Sequence, residues 1–564
     1  MVTITYTAAS PDGCDMESEA LADTPVMRPR FTPEAAVRRQ IRRYVRGAIL
    51  PLIAAGMGGT SLAAQTVPAG EGATATVRAD TPGPRIERDV FGQFAEHLGH
   101  GIYGGIWVGR NSKIPNDAGY RRDVLAAMKA IDVPMVRWPG GCFADEYHWR
   151  DGIGPAKARP GKINTNWGGV NEDNSFGTHE YFGLMERLGA STYVSANVGS
   201  APPAETAQWV DYMTSATDST ALAKERARNG RAAPWTVRYL GIGNELWGCG
   251  GNMRAEYAAD LTNRYALFAK SGNGPMLKIA SGPSDSNYEW TEAMMRIAGK
   301  NIDGLALHYY TRPREGDWND KGPALGFPER EWATTMAHTL RMEEFLTKHS
   351  AIMDKHDPAK RVMLAVDEWG TWYDPTPGSN PGFLEQQNSL RDAVVAALNI
   401  NIFARHADRV RMAAIAQMVN VLQAMLLTDG PRMVKTPTYW VFDLYKPWQG
   451  ATALPVELTS PWYHKDEVAI PAVSVSAVRD TAGQVHVALV NLDPNRAIPV
   501  SVSLAGMQAG QVSGRILTGT GMDAHNSFDR PDTVTPQPFA GAQVSGGALT
   551  TTLPAKSVVI LDLR

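Results

Sequence analysis

Cysteine is scarce in this 564-residue chain: Cys14, Cys142 and Cys249 are the whole set. No Cys-x-x-Cys or His-x-x-x-His spacing of the kind that holds zinc occurs, so the sequence calls for no metal. The chain also has no P-loop, no Gly-rich first strand-to-helix turn for a dinucleotide and no Gly-x-Ser-x-Gly elbow at a strand end. No cofactor is therefore expected. Lys and Arg number 55 against 58 Asp and Glu, a net charge of −3. That balance lacks the basic excess that marks nucleic-acid binders. Beyond the N-terminal region no run of 18 apolar residues occurs, so no membrane span is expected in the mature chain. With Cys14 far upstream, one disulfide between Cys142 and Cys249 or two separate thiols are both compatible with the sequence.

Composition is otherwise that of a globular protein, 43% apolar and 20% charged, with 15 Trp and 18 Tyr. Near the N-terminus, arginines at 38, 39, 42, 43 and 46 precede a short apolar stretch, Gly47 to Gly58, and then small residues around Ala64. This is the order of a secretory signal, and it predicts cleavage near Ala64 and a secreted or periplasmic enzyme. Residues 1–64 are thus read as an extension and signal, and 65–89 as a linker or strand joining a β-sandwich.

From Val90 apolar strands alternate with amphipathic helices. Strands are predicted at 91–96, 133–138, 192–197, 238–244, 277–281, 302–309, 362–367 and 410–417. Helices are predicted at 120–131, 181–188, 255–270, 330–355 and 389–407. Eight such units over residues 90–454 predict an α/β fold of the (β/α)8, or TIM barrel, class rather than an open sheet. After Leu454 the pattern becomes two-residue alternation, as in Ala472–Val478, Val485–Val490 and Val500–Leu504. Residues 455–564 are read as an additional all-β sandwich, jelly-roll-like.

Two glutamates stand at the ends of apolar runs: Glu245 closes Arg-Tyr-Leu-Gly-Ile-Gly-Asn-Glu, and Glu368 closes Val-Met-Leu-Ala-Val-Asp-Glu. A carboxylate at the end of a buried strand is costly unless used or paired. A parallel barrel brings both strand ends to one rim, and a pair of carboxyls is what glycosidic hydrolysis requires.

Further motifs follow in order: Phe91-Gly-Gln-Phe-Ala-Glu-His97, Val136-Arg-Trp-Pro-Gly-Gly-Cys-Phe-Ala-Asp145, Leu307-His-Tyr-Tyr310, Asp367-Glu-Trp-Gly370 and Ala416-Gln-Met-Val-Asn420. Together with Gly243-Asn-Glu245 they resemble glycoside hydrolase family 51, chiefly retaining α-L-arabinofuranosidases. The resemblance implies that Glu245 is the acid/base and Glu368 the nucleophile. It further implies that Arg137 and Tyr310 serve the nucleophile, and that Glu96, Asn244 and Gln417 hold the sugar. Cys142 stands where other members carry Asn; it either contacts the sugar as a weaker partner or packs or pairs with Cys249. The loop from Asn164 to Phe176, with Trp167, is read as aglycone subsite or solvated loop, and His97 and His308 as supporting or core histidines.

The implied activity is a retaining, exo-acting α-L-arabinofuranosidase on arabinan, arabinoxylan and their oligosaccharides, in a homo-oligomer, often a hexamer. An endo-β-glucanase or xylanase on the same fold and a non-catalytic carbohydrate-binding protein are the alternatives.

Overall fold

The computed structural model describes residues 72–564; the signal and cleavage expectations lie outside them. Eight strands close into a barrel in sequence order, each parallel to its neighbours. They follow a first strand outside the barrel, β1 (Ala73–Arg78). The barrel strands are β2 (Gly92–Phe94), β3 (Met135–Trp138), β4 (Ser191–Ala196), β5 (Tyr239–Ile242), β6 (Leu277–Ala280), β7 (Gly304–Thr311), β8 (Met363–Thr371) and β9 (Val410–Ala416). All eight predicted strands are present. The connecting helices are α1 (Arg122–Ala130), α2 (Thr178–Leu188), α3 (Pro203–Thr214), α4 (Ala221–Arg228), α5 (Ala255–Phe268), α6 (Tyr288–Ala298), α7 (Glu329–His356) and α8 (Leu390–Arg405); α9 (Pro437–Leu444) follows β9.

The apolar runs are strands because helices cover one face and the barrel interior the other. Every residue of β8 is buried. Helix α8 starts at a capping box, in which Ser389 Oγ accepts the Arg391 N–H at 3.3 Å and Asp392 accepts the Ser389 N–H at 2.7 Å. It is buried all round, which an outer barrel helix is not unless something covers it.

A six-stranded sheet covers α8. Its order is β10 (Thr452–Leu454), β12 (Val473–Arg479), β13 (Val485–Asn491), β19 (Ser557–Leu563), β15 (Val512–Leu517) and β16 (Gln537–Pro538). The second sheet has five strands, in the order β11 (Val456–Thr459), β1, β14 (Ile498–Ala505), β18 (Ala548–Leu553) and β17 (Ala542–Ser545). Buried Asn491 ties the sheets by donating to Leu553 O at 3.2 Å and Pro554 O at 3.0 Å. The architecture is thus a TIM barrel with a strand-rich second domain.

In β12 the alternating polar residues Ser474 and Ser476 are buried against α8, where Asn401 Nδ2 donates to Ser474 Oγ at 3.1 Å and Ser476 Oγ donates to Asn401 Oδ1 at 2.6 Å. The polar stripe meets a polar helix position, not water.

Candidate active site

The C-terminal ends of β2, β3, β5, β7, β8 and β9 converge on a small cavity of about 60 Å³ that contains Glu96, Cys142, Asn244, Glu245, Tyr310, Glu368 and Gln417 in its walls. Arg137 lies just beneath, its side chain 1% exposed. All eight residues singled out from the sequence are therefore in one place.

Two glycines make this approach possible. A Cβ on Gly141 would stand 2.9 Å from Glu368 Oε1, and one on Gly140 would stand 2.7 Å from Glu96 Cγ. At Glu245 itself the backbone is left-handed, with φ of 42°, a region that non-glycine residues enter uncommonly and mostly at turns or functional sites. The turn is held by the Gly248 and Gly250 N–H groups, which donate to Glu245 O at 2.7 and 3.1 Å. Buried Asp145 fixes the preceding residue by accepting the Asn244 N–H at 2.7 Å.

Glu368 is held from two sides. Arg137 Nη1 donates to Oε1 at 2.7 Å, and the Tyr310 hydroxyl donates to Oε2 at 2.8 Å. Arg137 Nη2 also donates to Asn244 Oδ1 at 2.5 Å, which orients that amide with its NH2 group on the cavity side, 3.9 Å from Cys249 Sγ. The second carboxylate against Arg137 is Asp367, 3.5 Å from Nε. Asp367 also accepts the Tyr193 hydroxyl at 2.6 Å. Burial pushes the Asp367 carboxyl up, but Arg137, His308 and Tyr193 together outweigh it and leave it below the ordinary range.

Glu245 sits opposite. His308 Nδ1 is 2.9 Å from Glu245 Oε1 and 3.6 Å from Glu368 Oε2, while Nε2 is 3.2 Å from Asp367 Oδ1. Burial disfavours a charge on His308, yet Glu368, Asp367 and Glu245 surround it and push its pKa up to about 10. Burial also pushes the Glu245 carboxyl up; the His308 N–H opposes this and the nearby Glu368 charge adds to it. One oxygen of Glu245, one of Glu368 and a His308 nitrogen lie within 4.8 Å of one another. The other clustered donors, Cys142 and Cys249, are joined as a disulfide, so neither carries an S–H. Cys249 Sγ lies 3.7 Å from Glu245 Oε2.

Across the cavity Glu96 accepts the Gly141 and Phe143 N–H groups at 3.0 and 3.1 Å and the Trp167 indole N–H at 2.9 Å. Gln417 Nε2 donates to its other oxygen at 3.1 Å. Burial, then the Glu368 charge, raise the Glu96 pKa to about 7. The loop at 164–176 is anchored at intervals while Thr165, Val170 and Asp173 between the anchors are exposed: Trp167 closes the cavity, and buried Glu172 meets His97 Nδ1 at 3.0 Å. His97 itself stacks on Phe143 in the core beneath.

Sequence reasoning gave too little weight to His308 and none to Asp367, Tyr193 and Trp372. Simple alternation puts Asp367 and Glu368 on opposite faces. Register shifts in β8, against β9 between Val366 and Trp369, break that alternation and let both reach Arg137. The signal available was the Asp-Glu pair at a strand end.

Two family profiles match the chain: "Alpha-L-arabinofuranosidase 1 domain" over residues 127–322 and "Alpha-L-arabinofuranosidase C-terminal domain" over residues 367–557. An intracellular exo-α-L-arabinofuranosidase of Bacteroides ovatus is 49% identical over 89% of this chain and 98% of its own. The crystal structure of the GH51 arabinofuranosidase from Xanthomonas axonopodis pv. citri superposes with a TM-score of 0.86 at 57% identity, covering 88% of this chain and 100% of that one. The chain belongs to glycoside hydrolase family 51. It is an exo-acting α-L-arabinofuranosidase, and a carbohydrate is its substrate.

Membership corrects one expectation. The basic and apolar N-terminal segment was read as a secretory signal, making a secreted or periplasmic enzyme. Against this, the Bacteroides ovatus arabinofuranosidase is named intracellular, as is an exo-α-(1→5)-L-arabinofuranosidase of Streptomyces lividans, 28% identical over 82% of this chain and 71% of its own. A basic stretch followed by a short apolar one is a compositional signal, which recurs without a targeting role. Among the described residues no helix is long and apolar enough to cross a membrane.

Proposed function

We propose that this arabinofuranosidase is a retaining enzyme that removes terminal arabinofuranosyl units from arabinan, arabinoxylan and their oligosaccharides by double displacement. The observation that carries the reading is the closeness of the two carboxylates, with one oxygen of each inside 4.8 Å. Retaining enzymes keep their carboxyls about 5–5.5 Å apart, whereas inverting enzymes need about 6.5–9.5 Å for an intervening water.

In the first step the Glu368 carboxylate attacks the anomeric carbon while Glu245 gives its proton to the departing oxygen. The glycosidic C–O bond breaks and an arabinosyl ester forms on Glu368. In the second step Glu245, now ionised, takes a proton from water. The water oxygen bonds the anomeric carbon, and the ester C–O bond breaks to restore Glu368. The environments suit these roles. Burial and a neighbouring negative charge favour protonated Glu245, and Arg137 and Tyr310 aim two donors at Glu368. The Asn244 amide faces the 2-hydroxyl, a contact that strengthens as positive charge develops on the ring. Glu96 and Gln417 take the remaining hydroxyls. Cys142 presents a disulfide sulfur as part of the wall.

An endo-acting glucanase or xylanase needs a through-running cleft. Trp167, Leu384 and Leu422 instead wall the cavity, which suits a terminal sugar. A homo-oligomer, implied by the family, completes the reading and is tested by sedimentation velocity.

The decisive experiment is azide rescue on 4-nitrophenyl α-L-arabinofuranoside. Glu368→Ala should yield the β-azide, because azide replaces the missing nucleophile and inverts. Glu245→Ala should yield the α-azide, because azide attacks the glycosyl-enzyme. Release of β-arabinose as first product by the wild type, followed by NMR, would overturn retention.

A further inference from the structure

The double displacement gives no task to the Cys142–Cys249 bridge, yet the bridge joins the loops after β3 and β5 right at the acid/base. Cys249 Sγ lies 3.7 Å from Glu245 Oε2, and Cys142 and Glu245 share the cavity wall. The three side chains each bring a donor atom within 4.8 Å of the others. Cys249 is exposed, so a reductant reaches it from solvent.

The two loops keep their places without the S–S bond. On one side the Gly141 and Phe143 N–H groups donate to Glu96 at 3.0 and 3.1 Å, and Asn166 Nδ2 donates to Cys142 O at 3.3 Å. On the other the Gly250 N–H donates to Glu245 O at 3.1 Å, and Trp247 Nε1 donates to Gly282 O at 3.1 Å. Reduction therefore leaves two thiols on Cα atoms 5.5 Å apart, beside a carboxylate. Two zinc–sulfur bonds of about 2.3 Å at a tetrahedral angle need sulfurs roughly 3.8 Å apart, a separation that rotation of the two side chains supplies. Two soft sulfurs and one oxygen suit a thiophilic divalent cation and leave it an open position for water.

We propose that the reduced chain carries an inhibitory site for a thiophilic divalent cation, with Cys142, Cys249 and Glu245 as ligands, and that the disulfide form has no such site. A dithiol reductant opens it. Its thiolate attacks Cys249 Sγ, the S–S bond breaks, and Cys142 leaves as a thiolate that takes up the proton the reductant lost. The reductant's second thiol then attacks the mixed disulfide and releases Cys249 as a thiol. Two electrons have passed to the pair, and the reductant ends as a cyclic disulfide. The cation displaces both thiol protons as it binds. A Glu245 oxygen given to a cation cannot carry the proton that the departing sugar oxygen needs, so the inference rests on the acid/base role proposed above.

The test uses full-length Cys14→Ser, in which Cys142 and Cys249 are the only cysteines left. It is kept oxidised, or reduced with a dithiol that is then removed by anaerobic gel filtration. Cadmium should bind the reduced form as a single ion per chain, with the ultraviolet charge-transfer band of cadmium–thiolate bonds, and should give the oxidised form no band. Micromolar zinc should lower kcat/KM on 4-nitrophenyl α-L-arabinofuranoside by about tenfold or more in the reduced form and by less than about twofold in the oxidised form, with recovery on adding a chelator. Adding Cys249→Ser should abolish both the band and the difference. Equal zinc effects on the two forms, absence of the band, or loss of the circular dichroism of the fold on reduction would overturn the site. A bound cation that leaves kcat/KM intact would overturn the inhibition. Failure of azide rescue with the band intact would overturn the acid/base assignment and leave the metal site.

Discussion

Two buried arginines sit at opposite ends of the barrel, each with a side chain 1% exposed and each facing two carboxylates. At the N-terminal end, Arg409 donates to Asp357 Oδ2 at 2.9 Å, to Val362 O at 2.8 Å and to Asp357 O at 3.1 Å, and it pairs with Asp354. These partners belong to the end of α7 and the approach to β8. They form a closed set that ties a helix to a strand. At the C-terminal end, Arg137 gathers Asn244, Asp367 and Glu368 from two other strands, and two of these partners, Asn244 and Glu368, line a cavity. Burial and charge are alike; what differs is whether the partners have anything left to offer. Cavity size does not mark the site either. A cavity of about 660 Å³, lined by Lys270, Lys278, Lys300, Asp303 and Arg361, lies at the N-terminal end, against about 60 Å³ around the glutamates. Convergence of polar groups marks the site, as it does in other barrels.

The contrast is open to direct attack. Among its contacts, Arg137→Ala removes the two charged-donor hydrogen bonds that reach the cavity wall, to Glu368 and Asn244, at about 2 kcal/mol each. With about 1.4 kcal/mol per decade, kcat/KM on the nitrophenyl glycoside should fall roughly a thousandfold. Arg409→Ala should instead lower unfolding free energy by about 3 kcal/mol in urea titration, the cost of leaving a buried partner unpaired, while the folded enzyme keeps its kcat/KM. If Arg409→Ala impairs catalysis as Arg137→Ala does, the distinction fails.

The Arg409 effect should also depend on pH. Burial pushes Asp357 up, but backbone N–H groups and Arg409 outweigh it and hold its carboxyl below the ordinary range. A depressed pKa stabilises the fold above the unfolded carboxylate value, and that contribution is lost as pH falls through the folded value. The difference between wild type and Arg409→Ala should therefore shrink on acidification.

A smaller catalytic effect belongs to His308→Asn. In the proposed mechanism Glu245 acts in its protonated form, so activity should fall as pH rises through its pKa. The His308 N–H lowers that pKa, and removing it should move the basic limb of the kcat/KM profile to higher pH. A limb that stays or moves down would show that His308 does not act through Glu245. Smallest is Ser389→Ala, on the catalytic side of the barrel but at the start of α8. Loss of this N-cap should cost about 1 kcal/mol of stability with kcat/KM retained, since position at that end is not by itself a catalytic role.

The barrel was legible because its strands are covered on both faces, which leaves continuous apolar runs such as Val362 to Val366 broken by helices of clear period. The glutamates were legible because charge at the end of such a run is conspicuous. Less visible was anything depending on a break in regular geometry. Asp367 joins the site through a register shift, and Trp167 arrives from a loop that carries no period. Ser474 and Ser476 show the same limit: polarity in a strand says that a partner is needed, and here the partner is Asn401.

Strand β1 lies inside the five-stranded sheet, antiparallel to β11 on one edge and parallel to β14 on the other. It is made before the barrel, while both of its partners are made after it. During synthesis this strand emerges from the ribosome early and waits with both edges open until nearly the whole chain has followed. The barrel is thus enclosed between the first and last acts of sheet assembly. A nascent chain stalled before β14 would hold a barrel-forming segment together with an unpaired strand, the kind of edge that recruits neighbours into aggregates.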